Sequence, residues 1–154
     1  MDQMLTVNEV LSDKITKLDN KLIPCGFNGD DRGLRIKLKT LCKLIDSLGE
    51  KSARSQKLNN TITTAEKLRN SSHYVYILKD ADANKGNGEA IGLLKVGHKH
   101  LFLFDGKGEA QEVEPLCVLD FFVLQDSQRR GYGKVLFDHM LQVSFKLIKH
   151  FFYL

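Results

Sequence analysis

A segment with two glycines, Gln128–Lys134, separates an apolar run from a stretch with helical periodicity. The run before it, 116–123, reads Leu-Cys-Val-Leu-Asp-Phe-Phe-Val, and its β-branched and aromatic content predicts a strand. After the glycines, apolar residues recur at helical spacing at Val135, Leu136, Met140, Val143 and Leu147. The glycine segment is therefore predicted to be a loop that joins the end of a strand to the start of a helix.

A loop in this position is suited to binding a phosphate or pyrophosphate. Glycines let the backbone approach a ligand closely, and the first N–H groups of a helix have no partner within the helix. These N–H groups lie at the positive end of the helix dipole, where an anion is stabilised. Arg129, Arg130 and Lys134 add mobile positive charge. The alternative is a surface turn formed by the glycines and kept soluble by the arginines.

Two common glycine motifs fit this segment poorly. A Walker loop requires Gly-x-x-x-x-Gly-Lys-Ser/Thr, and the dinucleotide fingerprint requires a third glycine where this chain has Leu136. The pattern Gln/Arg-x-x-Gly-x-Gly/Ala between a strand and a helix instead resembles the acetyl-coenzyme A pyrophosphate loop of the GNAT N-acetyltransferases. This resemblance implies an acetyl-CoA cofactor.

Composition narrows the class of protein. The chain has 154 residues, 42% hydrophobic and 27% charged, which predicts a single domain over 1–154. Its net charge of +4 suits a polyanionic cofactor or an acidic protein surface but does not indicate nucleic acid. No apolar run approaches the roughly 20 residues that span a bilayer, so no membrane partner is predicted. Cys25, Cys42 and Cys117 lie far apart, without metal-ligand spacing, which favours free thiols in a reducing cytosol and no metal site.

The rest of the chain reads as helices followed by strands. A loop is predicted over 20–33, then an amphipathic helix from Leu34 to Leu48 with Gly49 as its stop, then two short helices separated by a turn within 50–70. Strands are predicted at 73–79, 90–97 and 101–104, the last two joined by a tight link at 98–100, with a mobile loop at 80–89 and a turn at 105–108. The order predicts an α/β (α+β) fold, a GNAT-like core whose central, mostly antiparallel sheet is flanked by helices and is incomplete at its C-terminus.

Four further segments identify a narrower resemblance. Val113–Phe121, His73–Asp80, Ile91–Gly97 and Phe137–Gln142 are similar to segments of the α-tubulin N-acetyltransferases, in register from about Asp13 to Gln142. The resemblance implies acetyl transfer from acetyl-CoA to the ε-amine of a lysine in the luminal loop of α-tubulin. It also implies a cytoplasmic location on microtubules of the cytoskeleton.

The resemblance assigns roles to individual residues. Gln56 matches a glutamine needed for activity, and Cys117 matches the active-site cysteine. Lys99 and Glu112 match positions on the substrate-facing rim. The cofactor-binding positions that it implies are Phe121, Phe122, Val123, Gln128, Arg129, Arg130, Gly131, Tyr132, Gly133, Lys134, Ser144 and Lys146.

The chemistry of these residue types limits their roles. A lysine amine, with an ordinary pKa of about 10.4, must lose its proton before it attacks a thioester. Gln56 cannot be a general base because an amide does not titrate, so it would orient substrate or backbone, or be a solvated helix residue. Cys117 would accept a proton or simply pack as a buried thiol. Asp120 and Asp126 are interpreted as ordinary cap or turn carboxylates.

The chain departs from the family pattern after Gln142. The family continues there through a loop and a strand that carries an active-site aspartate, whereas 143–149 here resembles the start of the family's second helix joined directly to the first. One helix is therefore predicted from Lys134 to about Tyr153, with Ser144 and Lys146 about three turns from the glycine loop and one sheet edge exposed. We expect a truncated, splice-type product with weak or no catalysis. The alternatives are an inactive microtubule- or partner-binding isoform and an acetyltransferase of other amines.

Overall fold

Helices cover both faces of a central antiparallel sheet. The computed structural model describes residues 4–23 and 31–152, and their side chains as far as Ser144. In chain order the elements are α1 (Val7–Val10), β1 (Ile15–Leu18), α2 (Asp31–Ser55), α3 (Ala65–Arg69), β2 (Tyr74–Asp80), β3 (Glu89–His98), β4 (Leu101–Phe104), β5 (Ala110–Val113), β6 (Leu116–Val123), a 3-10 turn (Gln125–Ser127) and α4 (Tyr132–Phe152).

The strands form two sheets. The larger has the order β1-β2-β3-β6 with every neighbouring pair antiparallel, and the smaller is the ribbon of β4 and β5. The predicted tight link at 98–100 joins strands that do not pair with each other. Within this link, the backbone N–H of Lys99 donates to the Pro115 carbonyl at 3.1 Å, which holds the end of β3 against the residue just before β6. β6 therefore takes the place beside β3, and the ribbon projects from the main sheet.

The side chains of β2 show why the sheet is covered on both faces. Val75 and Ile77 pack in one core with Leu41, Ile45 and Leu48 of α2. The alternate residues Tyr76 and Leu78 pack in a second core with Leu136 and Met140 of α4. Successive side chains of a strand point to opposite faces, so each helix buries one face of the same sheet. The predicted α/β (α+β) core with helices flanking a mostly antiparallel sheet is confirmed.

Gly49 does not end the long helix, and this prediction was wrong. α2 runs without a break from Asp31 to Ser55, so it also begins earlier than the predicted Leu34 and includes the first of the two short helices expected after it. A Cβ at Gly49 would lie 1.8 Å from the Thr63 carbonyl oxygen. Glycine is needed here because the following loop packs directly on the helix backbone.

The N-terminal region contains two elements that periodicity did not predict. α1 is capped by Thr6, whose side chain forms a reciprocal capping box with Glu9. β1 is a four-residue strand that pairs with β2, and such a short strand carries too little alternation to be recognised. Of the predicted loop at 20–33, residues 24–30, which include Cys25, lie outside the described part of the chain.

The C-terminal helix is uninterrupted, as predicted. α4 extends from Tyr132 to Phe152. Within the described ranges no strand pairs with the outer side of β6, which therefore forms an edge of the main sheet, also as predicted. In the same part of the chain, no helix has both the length and the apolar composition needed to cross a membrane.

Candidate active site

The glycine loop closes on the end of the strand that precedes it. The Gln128 side-chain nitrogen donates to the Val123 carbonyl at 2.8 Å, which links the start of the loop to the last residue of β6. The chain then turns through two positive φ angles, 65° at Arg129 and 81° at Gly131. A glycine is favoured at 131 because L-residues adopt this conformation only at a cost. α4 begins at the next residue.

The backbone amides of this loop have no hydrogen-bond partner in the described part of the chain. From Arg129 to Lys134, no backbone N–H donates a hydrogen bond to the described part of the chain, and the first amide that does so is Val135, which bonds the Gly131 carbonyl at 3.1 Å. Gln128 to Gly131 are exposed. A turn that served only to reverse the chain would use some of these donors internally. Free N–H donors at a helix N-terminus can bind an anion such as a diphosphate.

The cationic side chains of the loop are not equivalent. Arg129 and Arg130 are exposed and extend from the same turn as the free amides. Lys134 was expected to be mobile, but its ammonium lies 2.6 Å from the Asp138 carboxylate one helical turn later. This hydrogen bond and charge raise the pKa of Lys134. The two arginines are therefore the free positive charges of the loop.

The two faces of β6 beside the loop differ in character. Phe121 is 41% exposed and lies on the side of α4, with its ring centroid 6.4 Å from that of Phe137. A Cβ on Gly133 would lie 3.5 Å from the Phe121 ring, so the first turn of α4 packs closely on this strand. Phe122 is buried, so it can offer a ligand little beyond its backbone. Phe122 contributes to the wall of a cleft of about 700 Å³. The residues that line this cleft are Lys51, Arg54, Ser55, Phe122, Leu124, Gln125 and Gln128.

A bulge in β6 separates Cys117 from Asp120. Lys95 of β3 pairs with Asp120, while the next residue, Val96, pairs with Val118, so Leu119 has no partner of its own. A bulge redirects the side chains that follow it. Cys117 lies opposite Gly97 and is half-buried as a free thiol, 3.5 Å from the Pro115 carbonyl. The thiol therefore stays accessible, while Asp120 turns inward.

Asp120 is not a cap or turn carboxylate, and that interpretation was wrong. It is 4% exposed, and its Oδ1 accepts from Ser52 Oγ at 2.7 Å and from Gln56 Nε2 at 3.1 Å. Its Oδ2 accepts from Thr63 Oγ1 at 2.6 Å. Gln56 is thus attached to a buried carboxylate and is not simply a solvated glutamine. A single aspartate inside an otherwise apolar strand was the signal for this cluster. Asp126 lies in the exposed 3-10 turn, as interpreted.

Basic groups surround the bulge. Lys95 is 4% exposed, and its ammonium donates to the Ile62 carbonyl at 3.1 Å. Burial lowers the pKa of Lys95, and the Asp120 charge partly offsets that effect. Burial, with Lys95 and Lys99, also lowers the pKa of His73. The physical cause is that a protonated ring would be desolvated close to two ammonium groups.

The two rim residues lie with the ribbon and not with the glycine loop. Lys99 is exposed just before β4, and the Glu112 carboxylate on β5 lies 2.6 Å from His100 Nε2. The ribbon also exposes Phe102 and Phe104, at 61% and 74%. The structure thus separates the predicted substrate rim from the predicted cofactor loop.

Ser144 lies far from the loop along α4. It is twelve residues beyond Tyr132, about 18 Å at 1.5 Å per residue, as the uninterrupted helix predicts. Its hydroxyl donates to the sulfur of Met140, one turn earlier in the same helix, at 3.6 Å. This placement does not support the cofactor role that the resemblance implied for Ser144. The side chain of Lys146 lies outside the described part of the chain.

The antiparallel sheet and the unpaired amides after β6 are features of acyl-CoA-dependent N-acetyltransferases. A family model described as GNAT acetyltransferase, Mec-17, matches residues 4–151. The chain belongs to this family, and membership implies an acyl-CoA donor. Among the described residues, no group of three or more His, Cys, Asp or Glu side chains is arranged to hold a metal ion.

Relatives in three animals carry the same activity in their names. The chain is 42% identical over 142 residues to α-tubulin N-acetyltransferase 1 of Danio rerio, covering 92% of this chain and 47% of the relative. It is 38% identical over 143 residues to α-tubulin N-acetyltransferase of Aedes aegypti, covering 92% and 52%. The Trichoplax adhaerens α-tubulin N-acetyltransferase is 42% identical over 146 residues, covering 90% and 61%. The chain thus spans about half the length of the curated relatives it matches.

Proposed function

We propose that this chain binds acetyl-CoA at the glycine loop and transfers the acetyl group to a lysine ε-amine of α-tubulin in microtubules. The observation that carries the proposal is the set of backbone amides from Arg129 to Lys134, which have no acceptor in the described part of the chain and follow a turn that is exposed from Gln128 to Gly131. The names of the relatives support the choice of α-tubulin as substrate. Microtubules would then be the site of action.

The loop residues fit a diphosphate. The amides would donate to its oxygens, and the Arg129 and Arg130 side chains would neutralise its charge. Gly131 leaves the approach open, because a Cβ built there meets no atom within 4 Å. The cofactor, when bound, supplies the thioester from which the acetyl group is transferred. The exposed ring of Phe121 would cover the apolar part of the cofactor.

The edge of β6 is the element that would act on the thioester. Outward-facing N–H groups of an edge strand have no strand partner, so they can donate to a carbonyl oxygen and favour the charge that develops there. Cys117, half-buried on the same strand, would accept, in its thiolate form, the proton that the lysine amine loses. Transfer forms a carbon–nitrogen bond, breaks the carbon–sulfur bond and releases the cofactor as a thiol.

We further propose that transfer by this chain is slow. The one carboxylate within β6, that of Asp120, already accepts three hydrogen bonds and is buried, so it is not available as a base. α4 also continues through the region where the family pattern has a strand with an aspartate. Proton removal would then depend on Cys117 and water.

The proposal is tested by measuring binding and transfer separately. Isothermal titration with acetyl-CoA reports binding, and an assay on polymerised tubulin, beside the Danio rerio relative, reports transfer. Binding with detectable but slower transfer is the expected result. Transfer at the rate of the relative would contradict the impairment, and absence of acetyl-CoA binding would contradict the function itself.

A second candidate is a catalytically silent chain that binds a protein partner. The exposed β6 edge and the exposed aromatic residues of the ribbon favour it, because both are unpaired surfaces within the described structure. This candidate predicts acetyl-CoA binding without transfer. The third possibility from the sequence, acetylation of other amines, predicts that free lysine peptides are acetylated as well as tubulin is.

A further inference from the structure

The buried cluster around Asp120 fastens the end of α2 to β6. Ser52 and Thr63, which both donate to the Asp120 carboxylate, are 1% and 0% exposed. An ionised carboxylate only accepts hydrogen bonds, so every group that faces it must be a donor. Gln56, just beyond the end of α2, is the one member of the cluster that also reaches solvent.

This arrangement fixes which end of the Gln56 amide faces inward. Its nitrogen donates to Asp120 Oδ1 at 3.1 Å and to Ser52 Oγ at 2.8 Å. The opposite orientation would place the amide oxygen against a carboxylate, which is repulsive. Because the oxygen lies on the other side of the planar amide, it faces away from the cluster. Within the described residues it accepts no hydrogen bond.

We propose that Asp120 is a positioning residue that holds the Gln56 amide with its oxygen outward, as a hydrogen-bond acceptor for the incoming lysine amine. The inference rests on the proposed acetyl transfer and adds the group that would receive the N–H of the acceptor. Asp120 follows Cys117 by three residues on β6, with the bulge between them, so their backbones lie at most about 10 Å apart along the strand. A primary amine always has N–H groups to donate, whereas an outward amide nitrogen would offer it a competing donor.

A role in stability alone is the competing explanation. Asp120 also compensates the buried ammonium of Lys95, its partner across the strands. Removal of the Asp120 side chain would therefore destabilise the fold under either explanation. The distinguishing measurement must report on the Gln56 amide itself, and on the polarity of its hydrogen bond.

The first measurement is hydrogen exchange of side-chain amides by NMR in the full chain. Gln111 is the matched control, because it is an exposed glutamine whose side chain makes no hydrogen bond to the described residues. Gln56 should exchange about tenfold more slowly than Gln111, as expected for a side-chain hydrogen bond to a charged acceptor. Equal exchange at the two side chains would overturn the proposal, whether or not the chain transfers acetyl groups.

The second measurement exchanges the hydrogen-bond donor and acceptor between positions 56 and 120. Gln56→Glu places two carboxylates together and should lower kcat/KM for a lysine acceptor by about tenfold, while acetyl-CoA affinity is retained. Adding Asp120→Asn restores a donor opposite the new carboxylate at position 56 and leaves an oxygen outward, so the double variant should recover to within about threefold of the original chain. Losses that simply add in the double variant would overturn the proposal. Failure of the unsubstituted chain to bind acetyl-CoA would instead contradict the proposed function, and the exchange result would still decide the position of Gln56.

Discussion

Two exposed turns of this molecule contain glycine in the same conformation but use their backbone amides in opposite ways. The ribbon turn at 105–108 has Gly108 at φ 77°, and the loop before α4 has Gly131 at φ 81°. In the ribbon, the Asp105 side chain accepts from the amides of Lys107 and Glu109, at 2.8 and 2.9 Å. Gly108 donates to the Asp105 carbonyl at 3.1 Å.

The glycine loop lacks such an internal acceptor. Its amides from Arg129 to Lys134 have no partner in the described part of the chain, and the acidic residue nearest along α4, Asp138, is bonded to Lys134. The difference teaches that glycine and exposure alone do not identify an anion site. What distinguishes the two turns is whether the chain supplies its own acceptor, because only free donors are available to a ligand.

Replacing both glycines of the loop should have the largest effect on acetyl-CoA affinity. Gly131→Val with Gly133→Val should lower acetyl-CoA affinity on the order of a hundredfold, since β-branched side chains cannot adopt the turn and would cover the amides. Isothermal titration measures the effect. Gly106→Val with Gly108→Val is the matched control, because it also changes one glycine at positive φ and one at ordinary φ. Equal losses in the two double variants would contradict the assignment of the loop.

Gln128→Ala should have the next largest effect. It removes the hydrogen bond to the Val123 carbonyl that holds the loop against the end of β6. A hydrogen bond of about 1 kcal/mol corresponds to about a fivefold loss of acetyl-CoA affinity. The control is Gln125→Ala, in the same turn, whose side chain has no hydrogen bond to the described residues. An unchanged affinity for Gln128→Ala would show that the loop holds its shape without this contact.

Asp105→Ala tests whether free backbone amides in the ribbon turn are enough to bind acetyl-CoA. The substitution removes the acceptor for the Lys107 and Glu109 amides, and their hydrogen exchange should accelerate about fivefold. Acetyl-CoA affinity should not change, because the freed amides do not lie at a helix N-terminus. A second, measurable acetyl-CoA site in this variant would show that free amides in a glycine turn suffice for binding.

Release of Lys134 should give the smallest change. Asp138→Asn removes the partner that raises the pKa of Lys134 and leaves its ammonium free to approach the loop. Acetyl-CoA affinity should rise by about twofold, as for a solvent-exposed charge pair, and should depend more steeply on salt. Glu109→Gln makes the same charge change in the ribbon and should have no effect. A similar rise in both variants would attribute the gain to net charge alone.

The elements with strong local signals were predictable. Alternation and β-branched content located β2, β3 and β6, and helical spacing located α4 as one helix. β1 was missed because four residues carry little periodicity, and the pairing of β4 was missed because the partner of a strand is chosen by long-range contacts. Gly49 was misread as a helix stop for a similar reason, since the backbone that packs on it is that of Thr63, in the loop that follows the helix.

The candidate site also has one part that was predictable from the sequence and one part that was not. The glycine loop was found from its sequence, because a strand, two glycines and a helix are adjacent along the chain. The Asp120 cluster was not, because its members Ser52, Gln56 and Thr63 come from a helix end and a loop more than fifty residues away. The bulge at Leu119 decides which way Asp120 points, and a bulge shows only in the pairing of two strands.

The sequence by itself determined the strand, the loop and the helix, since local backbone preferences and hydrophobic period are properties of neighbouring residues. It also placed a glycine at 131, one of the two positions in the loop where the structure has a positive φ. Only the tertiary structure decided that the loop amides stay free while the ribbon amides are satisfied, and that a carboxylate on β6 orients an amide at the end of α2. Those outcomes depend on which donors and acceptors folding brings within about 3 Å of one another, and that distance is not encoded in any one segment.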